Sequence, residues 1–208
     1  MESVRGNRIE RKKEKTKKKI IDVAMDLFNK QGFDQTTVDQ IAIEADIAKG
    51  TIYNHFPVKE AIIGEFIHRA FKEETPVIIR LTQQLPDTRS RLIALFRKSL
   101  EWIEFEFDKN LYKKYFAYRM QIFEQYIGGH SLRSGFNIVL AQIIDMGRQT
   151  GEIRKDLPAE VLVYQLESVH AYTVATWLAI PESFPLDERI AFSIDLFLYG
   201  AMNNERKK

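Results

Sequence analysis

The sequence predicts an all-α protein of about nine helices, with an N-terminal three-helix helix-turn-helix domain followed by a larger helical domain. Three observations carry that prediction. From Ile20 onward apolar residues recur at i, i+3, i+4 and i+7, the period of a half-buried helix, and nowhere alternate as in a strand. Two short apolar patterns, Val38 to Ala45 and Ile47 to Phe56, are separated by little more than Asp46, so two helices must turn sharply against each other. Proline and glycine fall between the later periodic segments, at Pro86, Gly128, Gly129, Gly151, Pro158, Pro181 and Pro185.

Taken in order, the first helix is expected from about Arg11 to Lys30. Ile20, Ala24, Leu27 and Phe28 form its buried stripe, and Gly32 closes it. Met1 to Glu10 are expected to form a partly disordered tail. Residues 1–19 hold nine basic and three acidic side chains, net +6, against −4 for the remainder. A basic arm beside a helix-turn-helix adds salt-dependent, sequence-independent affinity for phosphates. The second helix opens at Thr36 or Thr37 as N-cap and buries Val38, Ile41, Ala42 and Ala45. The third buries Ile52 and Phe56 and presents Lys49, Gly50, Thr51, Tyr53, Asn54 and His55, a face almost without acid that suits phosphate oxygens and base edges. Phe33 is expected to plug the three-helix core.

The fourth helix starts at Lys59 and Glu60 and reaches toward Leu85, with a kink or break near Thr75, because Pro76 removes a hydrogen bond and clashes with the preceding turn. The fifth carries Leu92, Leu95, Phe96, Ser99 and Ile103, and the sixth Tyr112, Tyr115, Phe116 and Arg119. The seventh spans Phe136 to Gly151, the eighth Ala159 to Leu178, and the ninth runs from an N-cap at Asp187 to about Asn203. The last two are apolar on more than one side. A homodimer pairing them in a four-helix bundle would cover what a monomer exposes.

The run T-x-x-x-I-A-x-x-A-x-I-x-K-G-T-I-Y-x-H-F-x-x-K-E, from Thr37 to Glu60, resembles the DNA-binding signature of the tetracycline-repressor (TetR/AcrR) family of transcription regulators. It departs from that pattern at Asp46, where the turn usually holds Gly, at Ala48, which replaces a capping Ser, and at Val58, which replaces Ser or Asn. Asp tolerates a left-handed backbone; each missing cap costs about 1 kcal/mol. The resemblance implies a DNA-binding domain over residues 1–57 and a ligand-binding and dimerisation domain over 58–208. On this reading Thr37, Tyr53, His55 and Lys59 contact phosphates. Lys49, Thr51 and Asn54 touch bases in the major groove of a near-palindromic, double-stranded operator, with Gly50 on the same face.

The resemblance also implies an effector pocket in the second domain, where aromatic residues are dense. Trp102 and Phe105 lie off the main stripe of their helix. With Tyr115, Phe123 and a polar anchor at Arg119 or His170 they are candidates for holding a small, largely apolar effector. The expected function is a ligand-responsive regulator, most simply a repressor released from its operator by that effector, with the fourth helix transmitting the signal. The alternative is a DNA-bound scaffold or nucleoid-associated factor controlled by a protein partner.

Other classes find little support. The chain has no cysteine, so disulfides and thiolate chemistry are excluded. His55, His68, His130 and His170 are not at metal-ligand spacing, and no nucleophile-elbow, P-loop or dinucleotide motif occurs, so no metal, cofactor or catalysis is expected. No apolar run approaches the ~18 residues of a membrane span and the N-terminus lacks a signal-like core, so a cytoplasmic location is expected.

Overall fold

The computed structural model describes residues 2–122, 135–180, 183 and 185–200, with side chains from residue 8. Every regular element longer than one residue among them is an α-helix: α1 (Glu2–Gln31), α2 (Val38–Glu44), α3 (Lys49–His55), α4 (Lys59–Gln83), α5 (Thr88–Phe105), α6 (Lys109–Gln121), α7 (Gly135–Thr150), α8 (Ala159–Ala179) and α9 (Leu186–Tyr199). The chain divides into two compact units. One comprises residues 1–69 with 110–122, the other 70–109 with 123–208.

In the first unit α1 buries Ile20, Ile21, Ala24, Met25 and Phe28, with Leu27 only half-buried. Gly32, at φ +85°, donates its N–H to the Phe28 carbonyl and ends the helix as the sequence requires. The start differs from expectation. The stretch expected as a partly disordered tail is helical from Glu2; it contains no proline and leads directly into the Arg-, Lys- and Glu-rich residues 11–19, which favour a helix without any burial. Thr37 proves to be the N-cap of α2. Its Oγ1 accepts from Gln40 N–H at 3.1 Å, while Gln40 Oε1 accepts from Thr37 N–H at 2.8 Å, a reciprocal capping box. Thr36 is fully buried and its hydroxyl donates to the Gly32 carbonyl.

Asp46 takes φ +48°, the left-handed conformation expected of it. Around it Asp46 N–H bonds the Ile43 carbonyl and Ile47 N–H bonds the Ala42 carbonyl, both at 3.0 Å, which is the Schellman ending of α2. α6 belongs to this unit through Phe33, whose ring lies 4.3 Å from the Lys59 ammonium and 5.6 Å from that of Lys114. Lys114 also pairs with Asp34 at 2.7 Å. A Cβ on Gly64 would sit 3.1 Å from the Tyr115 ring, so that glycine lets α6 lie close to α4.

No break occurs at Pro76: α4 is one helix through it, correcting the expectation of a break near Thr75. The carbonyl that loses its donor belongs to Lys72, an exposed residue, and the Thr75 hydroxyl donates to the Phe71 carbonyl at 2.7 Å. In the second unit α5 packs on α7 and α9, and α8 on the same two helices. Leu92, Phe96, Ile103, Leu140, Ile143 and Ile194 are fully enclosed. Gly135 begins α7: a Cβ there would fall 2.0 Å from Thr75 Oγ1 and 2.5 Å from the Phe71 carbonyl oxygen. α5 is capped by Asp87, whose carboxylate accepts from Ser90 N–H at 2.7 Å. Asp187 lies inside the first turn of α9 and Pro185 takes the cap position. Asn203 and the glycine pair at 128 and 129 lie outside the described residues.

α8 and α9 bury one side each, through Leu162, Leu166 and Thr173 and through Ile190 and Ile194. Val161, Tyr164, Tyr172, Phe192, Leu196 and Tyr199 on these helices are exposed.

Candidate nucleic-acid interface

The interface is built from α2 and α3. Ile41, Ala42 and Ala45 of α2 and Ile52 of α3 are buried, which fixes the rotation of both helices and turns their remaining residues outward. α3 has no acidic residue, and Tyr53, 48% exposed, stands beside exposed Asn54, Gly50 and Lys49. Thr51 is half-buried on the same helix. Gly50 meets nothing within 4 Å where a Cβ would stand, so its lack of a side chain serves no packing need within the chain. Ala48 occupies the N-cap of α3 without a side-chain hydrogen bond, as its sequence dictates.

Several outward groups are already engaged. The Lys49 ammonium pairs with the Asp39 carboxylate at 2.8 Å, and that hydrogen bond raises its pKa. Lys59 donates to the carbonyls of Phe33 at 2.8 Å and Thr36 at 2.6 Å, so two of its three N–H donors hold the α1–α2 connection against α4. Thr37 is occupied by its capping box. His55 is half-buried and its Nδ1 has no hydrogen-bond partner. Burial lowers its pKa first, and the nearby Lys13 and Lys17 lower it further, against a smaller opposing effect of Glu14.

The effector candidates separate. Trp102 is buried, 5.4 Å from the Phe71 ring and stacked on Phe107 at 5.1 Å. His170 lies against Phe136 at 4.2 Å and Phe96 at 5.0 Å, and its Nε2 is 2.6 Å from Ser99 Oγ. Ser99 Oγ itself donates to the Phe96 carbonyl, so the histidine nitrogen is the donor to it. Phe71 and Phe136, 6.3 Å apart, complete a file of rings from Trp102 to His170. Phe105 does not join it, being 77% exposed. Tyr115 and Arg119 belong to the first unit, where Tyr115 packs on Tyr112 at 5.7 Å and Arg119 is exposed; Phe123 lies outside the described residues. Ser99, Phe71 and Phe136 were not singled out in advance for this role. Ser99 had a visible signal, a hydroxyl in an otherwise apolar stripe. A shallow recess of about 10 Å³ lies beside Trp102 between Phe71, Ile78 and Lys98.

No described helix is long and apolar enough to cross a membrane. The model of the family described as bacterial regulatory proteins, tetR family, matches residues 20–66, which span the C-terminal part of α1, all of α2 and α3 and the start of α4. The chain is 24% identical over 158 residues to the HTH-type transcriptional repressor KstR2 of Rhodococcus jostii, covering 76% of this chain and 77% of that one. It is 24% identical over 188 residues to the fatty acid metabolism regulator protein of Bacillus subtilis, covering 88% and 94%. Among solved structures it shares its fold with Thermus thermophilus FadR, a TetR-family repressor in complex with lauroyl-CoA, at a TM-score of 0.72 and 24% identity over 92% of this chain and 98% of that one. The capped α2, the left-handed turn at Asp46 and the acid-free α3 are the parts that the match spans, and over residues 20–66 the chain carries the pattern of the tetR family of bacterial regulatory proteins.

Proposed function

We propose that this chain is a ligand-responsive transcriptional repressor that binds a near-palindromic operator as a homodimer and leaves it when an apolar effector binds. The observation that carries the reading is α3: seven residues, no acid, with Tyr53, Asn54, Lys49 and Gly50 outward on a helix fixed by a buried Ile52. Asn54, Lys49 and Thr51 are assigned to base edges, and Tyr53 and His55 to phosphates. Thr37 and Lys59 act chiefly by holding the shape of the motif, because their polar groups are engaged within it. The exposed apolar residues of α8 and α9 support pairing of two copies through those helices.

For the effector, the class to test first is a fatty acyl thioester of coenzyme A. Two structural neighbours, the FadR proteins of Thermus thermophilus and Bacillus subtilis, are complexes with lauroyl-CoA and stearoyl-CoA. The file of rings from Trp102 to His170 offers an apolar lining with one polar group at its end. The recess beside Trp102 has room for about 10 Å³, no more than a water molecule and far below the roughly 300 Å³ of a ligand pocket, so an acyl chain must part α4 from α5 to enter. That differential fit is what would bias α4, which runs on to Lys59, between two states.

The test is fluorescence anisotropy on genomic fragments selected by the purified protein, with lauroyl-CoA titrated into the complex. Release of the fragment, with one dimer bound per site, is the expected result. A protein that ignored every duplex at low ionic strength, or stayed single at micromolar concentration, would sink the reading.

A further inference from the structure

We propose that the outer face of α1 is a phosphate-tracking surface that carries the DNA contact beyond the helix-turn-helix onto flanking duplex. The inference rests on the proposed DNA-binding function and adds a second surface to it. Arg8, Lys12, Lys15 and Lys19 follow one another at i, i+4, i+7 and i+11, which places them on one side of a helix. Arg11 and Lys18 border that side, and all six are exposed. None of them has a carboxylate partner among the described residues.

The acids of the same stretch are sorted to the opposite side. Glu14 is bonded to Arg69 at 2.9 Å, and Glu10 lies four residues before it on the same face. Lys17 also turns inward, to Glu65 at 3.6 Å, and with Lys13 lies near His55 at the end of α3. Lys13 and Lys17 therefore bring α1 close to the C-terminal end of α3, and α1 continues from there through Arg8. The six outer cations are left without a neutralising neighbour.

No residue from 8 to 19 is buried, so packing does not explain why this helix is so long or so sorted. A solvated tail would gain nothing from keeping its acids to one side. An anionic lipid surface is a poor fit, since a membrane-lying helix carries an apolar face and the only apolar residue here is Ile9. A duplex seated on α3 has phosphate backbones flanking the groove. A helix rising 1.5 Å per residue from Arg8 to Lys19 tracks roughly 17 Å, or about five base pairs, of one.

The test compares the wild type, the triple variant Arg8→Gln, Lys12→Gln, Lys15→Gln, and a charge-matched control, Lys72→Gln, Arg80→Gln, Lys155→Gln, on selected and unrelated duplexes. Glutamine preserves helix propensity, and circular dichroism checks that it has. Loss of three phosphate contacts makes the slope of log K against log salt shallower by about 2.7, so the fall in affinity between about 50 and 200 mM salt is roughly 40-fold smaller. The change is the same on both kinds of duplex, and hydroxyl-radical protection retreats by up to about three base pairs at each flank, the length from Arg8 to Lys15. The control keeps the wild-type slope, and Lys12→Arg with Lys15→Arg keeps it too. A triple variant that still binds DNA with the wild-type slope and footprint overturns the proposal while leaving the operator-binding reading intact. Loss of an acidic protein partner with no change in slope overturns it as well. A wild type that binds no duplex is the distinct failure of the underlying function.

Discussion

The Lys49 ammonium lies 2.8 Å from the carboxylate of Asp39, joining the first residue of α3 to the first turn of α2. Both side chains are largely exposed, so water screens the pair and it adds little to folding. It bears directly on DNA, because a lysine assigned to a base edge must leave its acid before it reaches the groove. Asp39→Asn is expected to raise operator affinity about two- to fivefold, most at low salt, with little change in Tm. Anisotropy titrations at two ionic strengths decide it; equal affinities for the variant and the wild type would remove Lys49 from the contact set.

Lys59 is expected to behave differently from a phosphate contact. Its two carbonyl acceptors, Phe33 and Thr36, lie in the link between α1 and α2, and its ammonium also faces the Phe33 ring. Lys59→Met should destabilise the first unit by about 1–3 kcal/mol, since charged hydrogen bonds to buried carbonyls are lost. DNA affinity should fall alike on every sequence, with the salt slope unchanged. A normal thermal midpoint with a slope shallower by about 0.9 would return Lys59 to the phosphate-binding set.

These two residues mark what the sequence discloses about the site. Motif spacing located α2 and α3 and the left-handed turn at Asp46, because caps, glycine substitutes and apolar periodicity act over a few residues. It did not disclose that Lys49 and Lys59 are already engaged, since Asp39 and the Phe33 carbonyl meet them only through tertiary packing. The first turns of α1, before Arg11, carry no apolar stripe and include Gly6 and Asn7, so nothing periodic in the sequence marks them as helical. Of the kink or break expected at Pro76 no break occurs: a proline removes one hydrogen bond, and the rest of α4 is helical on both sides of it.

His55 gives the first unit a pH dependence. Its folded pKa lies below the ordinary 6.5, so the unfolded chain binds its proton first. Stability is therefore complete above pH 6.5 and declines as the pH falls from there toward the lowered folded value, before the carboxylates of Asp87 and Glu152, both held low by hydrogen bonds, titrate. Thermal unfolding between pH 5 and 7.5 should show this decline in the wild type and lose most of it in His55→Gln. An identical decline in the variant would assign the effect to other groups.

Two glycines are expected to separate folding from binding. Gly135→Ala puts a Cβ 2.0 Å from Thr75 Oγ1 and 2.5 Å from the Phe71 carbonyl oxygen. The hydroxyl can rotate away, but the backbone carbonyl cannot without moving α4 from α7, an overpacking cost of about 1–3 kcal/mol or more. Gly50→Ala meets no atom within 4 Å, and alanine in place of glycine inside α3 should stabilise the chain by up to about 1 kcal/mol. On DNA the order reverses if α3 lies in the groove, because the added methyl stands where the duplex approaches the helix backbone. Gly50→Ala is thus expected to raise Tm and yet lower operator affinity by tenfold or more, as judged by calorimetry and anisotropy on the same preparation. A variant that is stabilised and still binds at full strength would put the contact on another face of the helix-turn-helix.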